Sequence, residues 1–187
     1  MNVVDISKAV GLAALYLLTL NIHLGLLISI RYSPVRYWPH RQFNLFALHN
    51  WTGTVALGTA ALHPLLLLAS SPVHFRWVDI LFPLWSPQQP IINTLGAAAL
   101  YTLTFVVITS YNRVALGRRL WKRLHFAAYA GAGLFFTHAL LTDPHLRHTP
   151  FDPWDAEKVS VEFCLFLVAC SIAARIVYGR RRKRTPL

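Results

Sequence analysis

Apolar residues dominate this chain in long blocks. Residues 9–30 contain no Lys, Arg, Asp or Glu, and the same holds for 43–71, 91–111 and 125–142. A fifth block, 159–178, is apolar apart from Glu162 near its start and Arg175 near its end. Each block is close to or beyond the roughly 17–20 residues that carry a helix across a bilayer. The pattern predicts an all-α integral membrane bundle of five transmembrane helices, near 9–30, 43–70, 91–111, 121–142 and 159–178. They form a single domain over 1–187, with a basic tail at 179–187. The first block is followed by the bulky, basic "SIRYSPVRYW" rather than a small-residue cleavage site, so it reads as a retained helix and not a signal peptide.

Charge adds an orientation. Most of the 18 Lys and Arg fall in three segments that contain no acid: 31–42, 112–124 and 175–187. All seven acids lie in the N-terminus and the segments near 72–90 and 141–162, which alternate with the basic ones. By the positive-inside rule the N-terminus lies outside and the C-terminus in the cytoplasm. The net charge of +11 therefore reads as topology and anionic-lipid contact rather than nucleic-acid binding. Both cysteines, Cys164 and Cys170, fall in the fifth helix, six residues apart and badly placed for a mutual disulfide.

Titratable groups inside apolar spans are costly and mark functional sites. The second span, "LHNWTGTVALGTAALHPLLLL", carries His49 and His63. The fourth, "LHFAAYAGAGLFFTHALL", carries His125 and His138. Both spans follow a basic segment, so they run parallel. At 1.5 Å per residue the pairs are separated by about 21 Å and about 20 Å. His49 therefore matches His125 in depth, and His63 matches His138. Fourteen residues nearly complete four helical turns, so His49 and His63 share a face. Thirteen residues fall well short, so the fourth helix needs a kink, which Gly131 and Gly133 would permit. Pro64 would disrupt the backbone ladder a turn earlier and aim His63.

Imidazoles facing one another at two depths suit bis-histidine ligation of two haems. Small residues beside them, Gly53, Ala56, Gly58 and Ala60 on one helix and Ala127, Ala128, Gly131, Ala132 and Gly133 on the other, leave room for flat macrocycles or for close helix packing. For any one histidine the plainer reading is an interhelical hydrogen bond. Zinc fits less well, because no acid or Cys completes either pair. Candidate inner haem contacts, from depth alone, are Arg41, Arg118, Arg119 and Lys122, with topology anchoring as the alternative. Trp121, one turn before His125, reads either as cover for the inner haem or as an interface residue. His23 in the first helix reads as a packed hydrogen-bonder, with a ligand or quinone contact as the alternative. The loop "TDPHLRHTPFDPWDAEK" offers His145 and His148, near Asp143 and Asp152, as a metal site, against an ordinary solvated loop.

The H-x13-H of the second helix and the W-x-x-L-H-x12-H two helices later, after "TSYNRVALGRR", together resemble the ferric reductase-like transmembrane domain. That superfamily includes NADPH oxidases, ferric reductases and the haem-binding membrane subunit of the methionine sulfoxide reductase system. The resemblance spans about residues 15–178. It implies that His49, His63, His125 and His138 ligate two b-type haems, His49 with His125 on the inner side and His63 with His138 on the outer. The chain departs from the larger members in having five spans and no G-x-G-x-x-G following a strand. A flavin would then enter only through a partner, and electrons would come from a cytoplasmic flavin reductase or from a quinol. The expectation is an electron-transferring oxidoreductase component in a bacterial inner membrane, delivering to ferric iron, dioxygen, quinone or a periplasmic protein outside. Two other readings stay open: a non-catalytic haem-binding subunit or sensor docking a partner, and a haem-free bundle relaying protons.

Overall fold

The computed structural model describes residues 2–32, 44–70, 73–142 and 156–184, with side chains to Arg180. Among these residues there is no strand. The helices are α1 (Val3–Ser29), α2 (Leu45–Leu66), the short α3 (Trp77–Leu81), α4 (Pro90–Tyr111), α5 (Arg113–His125), α6 (Ala127–Leu141) and α7 (Ala156–Arg184). Five segments are long and apolar enough to cross a membrane: Val3–Ser29, Leu45–Ala69, Pro90–Tyr111, Arg113–Leu141 and Ala156–Arg180. The five-span expectation therefore stands.

The helix ends follow local chemistry. α1 starts before the first charge-free block because the Asp5 carboxylate accepts from the Asn2 backbone N–H at 3.0 Å. That acid also favours the positive end of the helix dipole. α2 starts after Asn44, whose side-chain oxygen accepts from the N–H groups of Phe46 and Ala47 at 3.1 Å each. Pro64 sits inside α2 without ending it. α7 is longer than the expected 159–178 block and continues through the basic residues 179–184.

α1 packs antiparallel along α2, and α4 along α6. α7 runs beside α1, with Lys8 and Glu157 paired at one end and Arg175 donating to the Ser29 hydroxyl at 2.7 Å at the other. A core of Leu15, Phe136, Val161, Cys164 and Val168 joins α1, α6 and α7. Cys164 is buried and Cys170 exposed, both as free thiols. Much of the outer surface is apolar, with Trp51 at 71 % and Phe166 at 63 % exposure. Such a surface suits lipid rather than water.

The fourth span differs from the expected single helix. Gly117 has φ 71°, a left-handed conformation that glycine adopts freely, inside α5. A second break follows His125, where Phe126 N–H bonds to Arg123 O and Tyr129 N–H to Phe126 O. These are tighter i→i−3 bonds of the 3₁₀ type. The helix then runs unbroken through Gly131 and Gly133. The tightened turn therefore lies at 125–129 and not at the glycines.

Candidate functional site

The structure brings the four span histidines together in the two expected pairs. The rings of His49 and His125 have centroids 6.3 Å apart and planes crossed at 69°. His63 and His138 line one cavity of about 380 Å³ at the opposite end of the bundle, within the range of ligand pockets. Gly11, Gly96, Lys8 and Lys158 also face that cavity. Among the described residues no cluster of three or more His, Cys, Asp and Glu gathers, so the histidines meet as pairs.

Each ring is held through the same atom. His49 Nδ1 is 3.1 Å from Asn21 O, His63 Nδ1 is 2.7 Å from Ser7 O, and His138 Nδ1 is 2.8 Å from Ile92 O. A carbonyl only accepts, so these three rings carry their proton on Nδ1. His125 Nδ1 lies 3.2 Å from the Ser110 hydroxyl. That hydroxyl donates to Val106 O at 2.7 Å, so it accepts from His125. All four imidazoles are thus fixed in one tautomer, which leaves Nε2 as the lone-pair nitrogen. This is how metal-binding histidines are oriented by their outer partners.

Glycines make room for three of the four contacts. A β-carbon on Gly11 would lie 3.0 Å from His63 Nδ1, and one on Gly25 would lie 3.2 Å from His49 Cε1. On Gly96 it would lie 2.8 Å from His138 Cε1. In each case the glycine stands four residues after the carbonyl that its histidine uses: Ser7 and Gly11, Asn21 and Gly25, Ile92 and Gly96. In an α-helix the carbonyl of residue i already accepts from N–H of i+4. It keeps a second lone pair. With no side chain at i+4, an imidazole from the neighbouring helix reaches that lone pair from the side. These residues were missed from the sequence, although Gly11 and Gly25 repeat the fourteen-residue spacing of His49 and His63.

The remaining predicted site residues fall in three groups. Trp121 lies against His125: its ring centroid is 5.3 Å from that of His125, and its Nε1 donates to the Ser110 hydroxyl at 3.3 Å. Arg118, Arg119 and Lys122 are exposed on α5, and Arg118 faces a second, open cavity of about 410 Å³ beside Trp121 and Phe46. His23 bonds within its own helix, Nδ1 to Thr19 O at 2.7 Å. Arg41, His145 and His148 lie outside the described residues.

The sequence profile of the ferric reductase-like transmembrane component matches residues 10–136, more than half of the chain. The chain belongs to the ferric reductase-like transmembrane family. The matched region holds His49, His63 and His125 and stops two residues before His138. No curated protein and no solved structure matches the chain. With five helices among the described residues long and apolar enough to cross a membrane, this ferric reductase-like chain is an integral, multi-pass membrane protein.

Proposed function

We propose that this ferric reductase-like chain is a transmembrane di-haem b cytochrome. In this reading His49 and His125 hold one haem iron, and His63 and His138 hold the other. The observation that carries it is the shared tautomer: four intramembrane imidazoles, each anchored at Nδ1 and presenting Nε2. Spacing supports the fit. Both rings of a pair would have to reach the same iron through Nε2. The inner rings stand at 6.3 Å.

Bound haem supplies one-electron exchange at each level, which divides a roughly 30 Å insulator into shorter steps. The chain's own residues do the rest. The Nδ1 acceptors raise the basicity of each ligand and fix its ring. Glycines at 11, 25 and 96 set how near each ring stands to its helix. The exposed cations of α5 lie at the His125 end, where an acidic cytoplasmic reductase would dock. A quinol is the alternative donor. Ferric iron, dioxygen, quinone or a periplasmic protein would take the electron from the His63–His138 end. The membrane is then the bacterial inner membrane, with the His49–His125 end facing the cytoplasm.

Purified protein should bind about two b-type haems per chain, measured by pyridine haemochrome and reduced-minus-oxidised spectra. Replacing any one of the four histidines by Ala should remove about half of the signal. Four variants with unchanged spectra would refute the assignment.

A further inference from the structure

The fourth histidine breaks the glycine rule, and the way it does so assigns a role to Ser110. Gly96 and Ser110 are fourteen residues apart on α4, the same interval as Gly11 and Gly25 on α1. By that repeat Val106 is the carbonyl and Ser110 the residue four positions later. Val106 O, however, is already taken by the Ser110 hydroxyl at 2.7 Å. His125 Nδ1 meets that hydroxyl at 3.2 Å instead of the carbonyl. Trp121 Nε1–H points at the same oxygen from 3.3 Å.

We infer that Ser110 is the positioning residue of His125, its hydroxyl relaying the ring's Nδ1–H to the Val106 carbonyl in place of the direct glycine notch used at the other three histidines. A hydroxyl has one proton to give and two lone pairs to fill. Here the proton goes to Val106 O, and the lone pairs receive Trp121 and His125. The arrangement is saturated, so His125 has one tautomer available. Through it Ser110 also fixes the placement of Trp121 against the ring. Its role toward an inner haem rests on the di-haem reading; its role toward the His125 tautomer does not.

The test compares Ser110→Ala, Ser110→Gly and Ser110→Thr in the full chain. Alanine removes the relay and leaves a β-carbon between the ring and Val106 O. Glycine removes the relay but opens the notch, and threonine keeps a hydroxyl. Helix propensity alone ranks glycine below alanine. The relay predicts the opposite order at His125. In ¹⁵N-histidine NMR of the protein without haem, the Nδ1–H form of His125 should dominate in wild type, Thr and Gly. In Ser110→Ala the ratio of Nδ1–H to Nε2–H should fall at least tenfold. In the haem-loaded protein Ser110→Ala should lower affinity at the inner site about 10–100-fold, the usual effect of losing an outer-shell partner. A tenfold weaker hold on the ferric relative to the ferrous state would raise the inner midpoint by about 59 mV. The outer site should not move. An unchanged His125 tautomer in Ser110→Ala, or a glycine variant no better than alanine, overturns the inference. A wild-type chain that shows the relay by NMR but takes up no haem would overturn the di-haem reading alone.

Discussion

Gly96→Ala is the sharpest perturbation of the glycine notches. The new β-carbon would stand 2.8 Å from His138 Cε1, 2.9 Å from Nδ1 and 3.1 Å from Nε2, against about 3.4 Å for ordinary contact. The ring must retreat by about 0.6 Å, or the two helices must part. A retreat of that size stretches the 2.8 Å bond to Ile92 O past the useful limit. Overpacking costs about 1–3 kcal/mol. The lost hydrogen bond adds about 1 kcal/mol. Alanine returns about 1 kcal/mol of helix propensity. The net is a destabilisation of about 1–3 kcal/mol. Gly133→Ala is the control: it lies on α6, five residues before His138, and nothing stands within 4 Å of its added carbon. It should be neutral or stabilising by up to about 1 kcal/mol. The assay is reversible unfolding in mild detergent, followed by far-UV circular dichroism, with haem content scored in parallel. Gly96→Ala unfolding as late as Gly133→Ala, with the same haem content, would refute the notch as a constraint.

Other consequences are open to measurement. Lys158 is 7 % exposed and its ammonium donates to the carbonyls of Ala139, Leu140 and Thr142, where α6 ends. Lys158→Met should cost about 1–3 kcal/mol through unsatisfied buried carbonyls, and exchange of the last-turn amides of α6 should quicken; unchanged protection would count against the cap. Hydrogen bonds from the Arg76 side chain and backbone hold the Asp79 carboxyl below its ordinary range. Its contribution to α3 is therefore present above the ordinary carboxylate pKa and lost as pH falls through the lowered one. Protection of the 77–81 amides, taken relative to unstructured amides at the same pH, should fall on acidification in that window, and Asp79→Asn should remove the dependence. Trp121→Phe keeps the ring but deletes the donor to Ser110, so the His125 tautomer should hold while tryptophan fluorescence from this site disappears.

The five spans could be read from the sequence because length and apolar content are local properties. The depth-matched histidines followed from helical rise alone. The tightened turn beside His125 could not be placed, since Gly131 and Gly133 are the obvious weak points. The helix instead tightens beside His125, where the basic amphipathic α5 meets the apolar α6. The notches were hidden for a different reason. Ser7 serves His63 across 56 residues, Asn21 serves His49 across 28, and Ile92 serves His138 across 46. No periodicity states which carbonyl a distant ring will find. The repeated fourteen in Gly11–Gly25 and Gly96–Ser110 was the available signal, and it gains meaning only once α1 lies against α2 and α4 against α6.

That pairing of helices has a consequence for biogenesis. α1 with α2 is one hairpin and α4 with α5 and α6 another, and each gives one imidazole to each level of the bundle. Neither hairpin can finish a level by itself, though each already orients its own rings. Insertion of the hairpins and completion of the sites are therefore separable events. Under the di-haem proposal, a haem at each level would join the two prefabricated halves like a rivet and stabilise only the docked state. A chain starved of that ligand should reach the membrane intact but be cleaved between its halves, so that loading becomes the checkpoint for assembly.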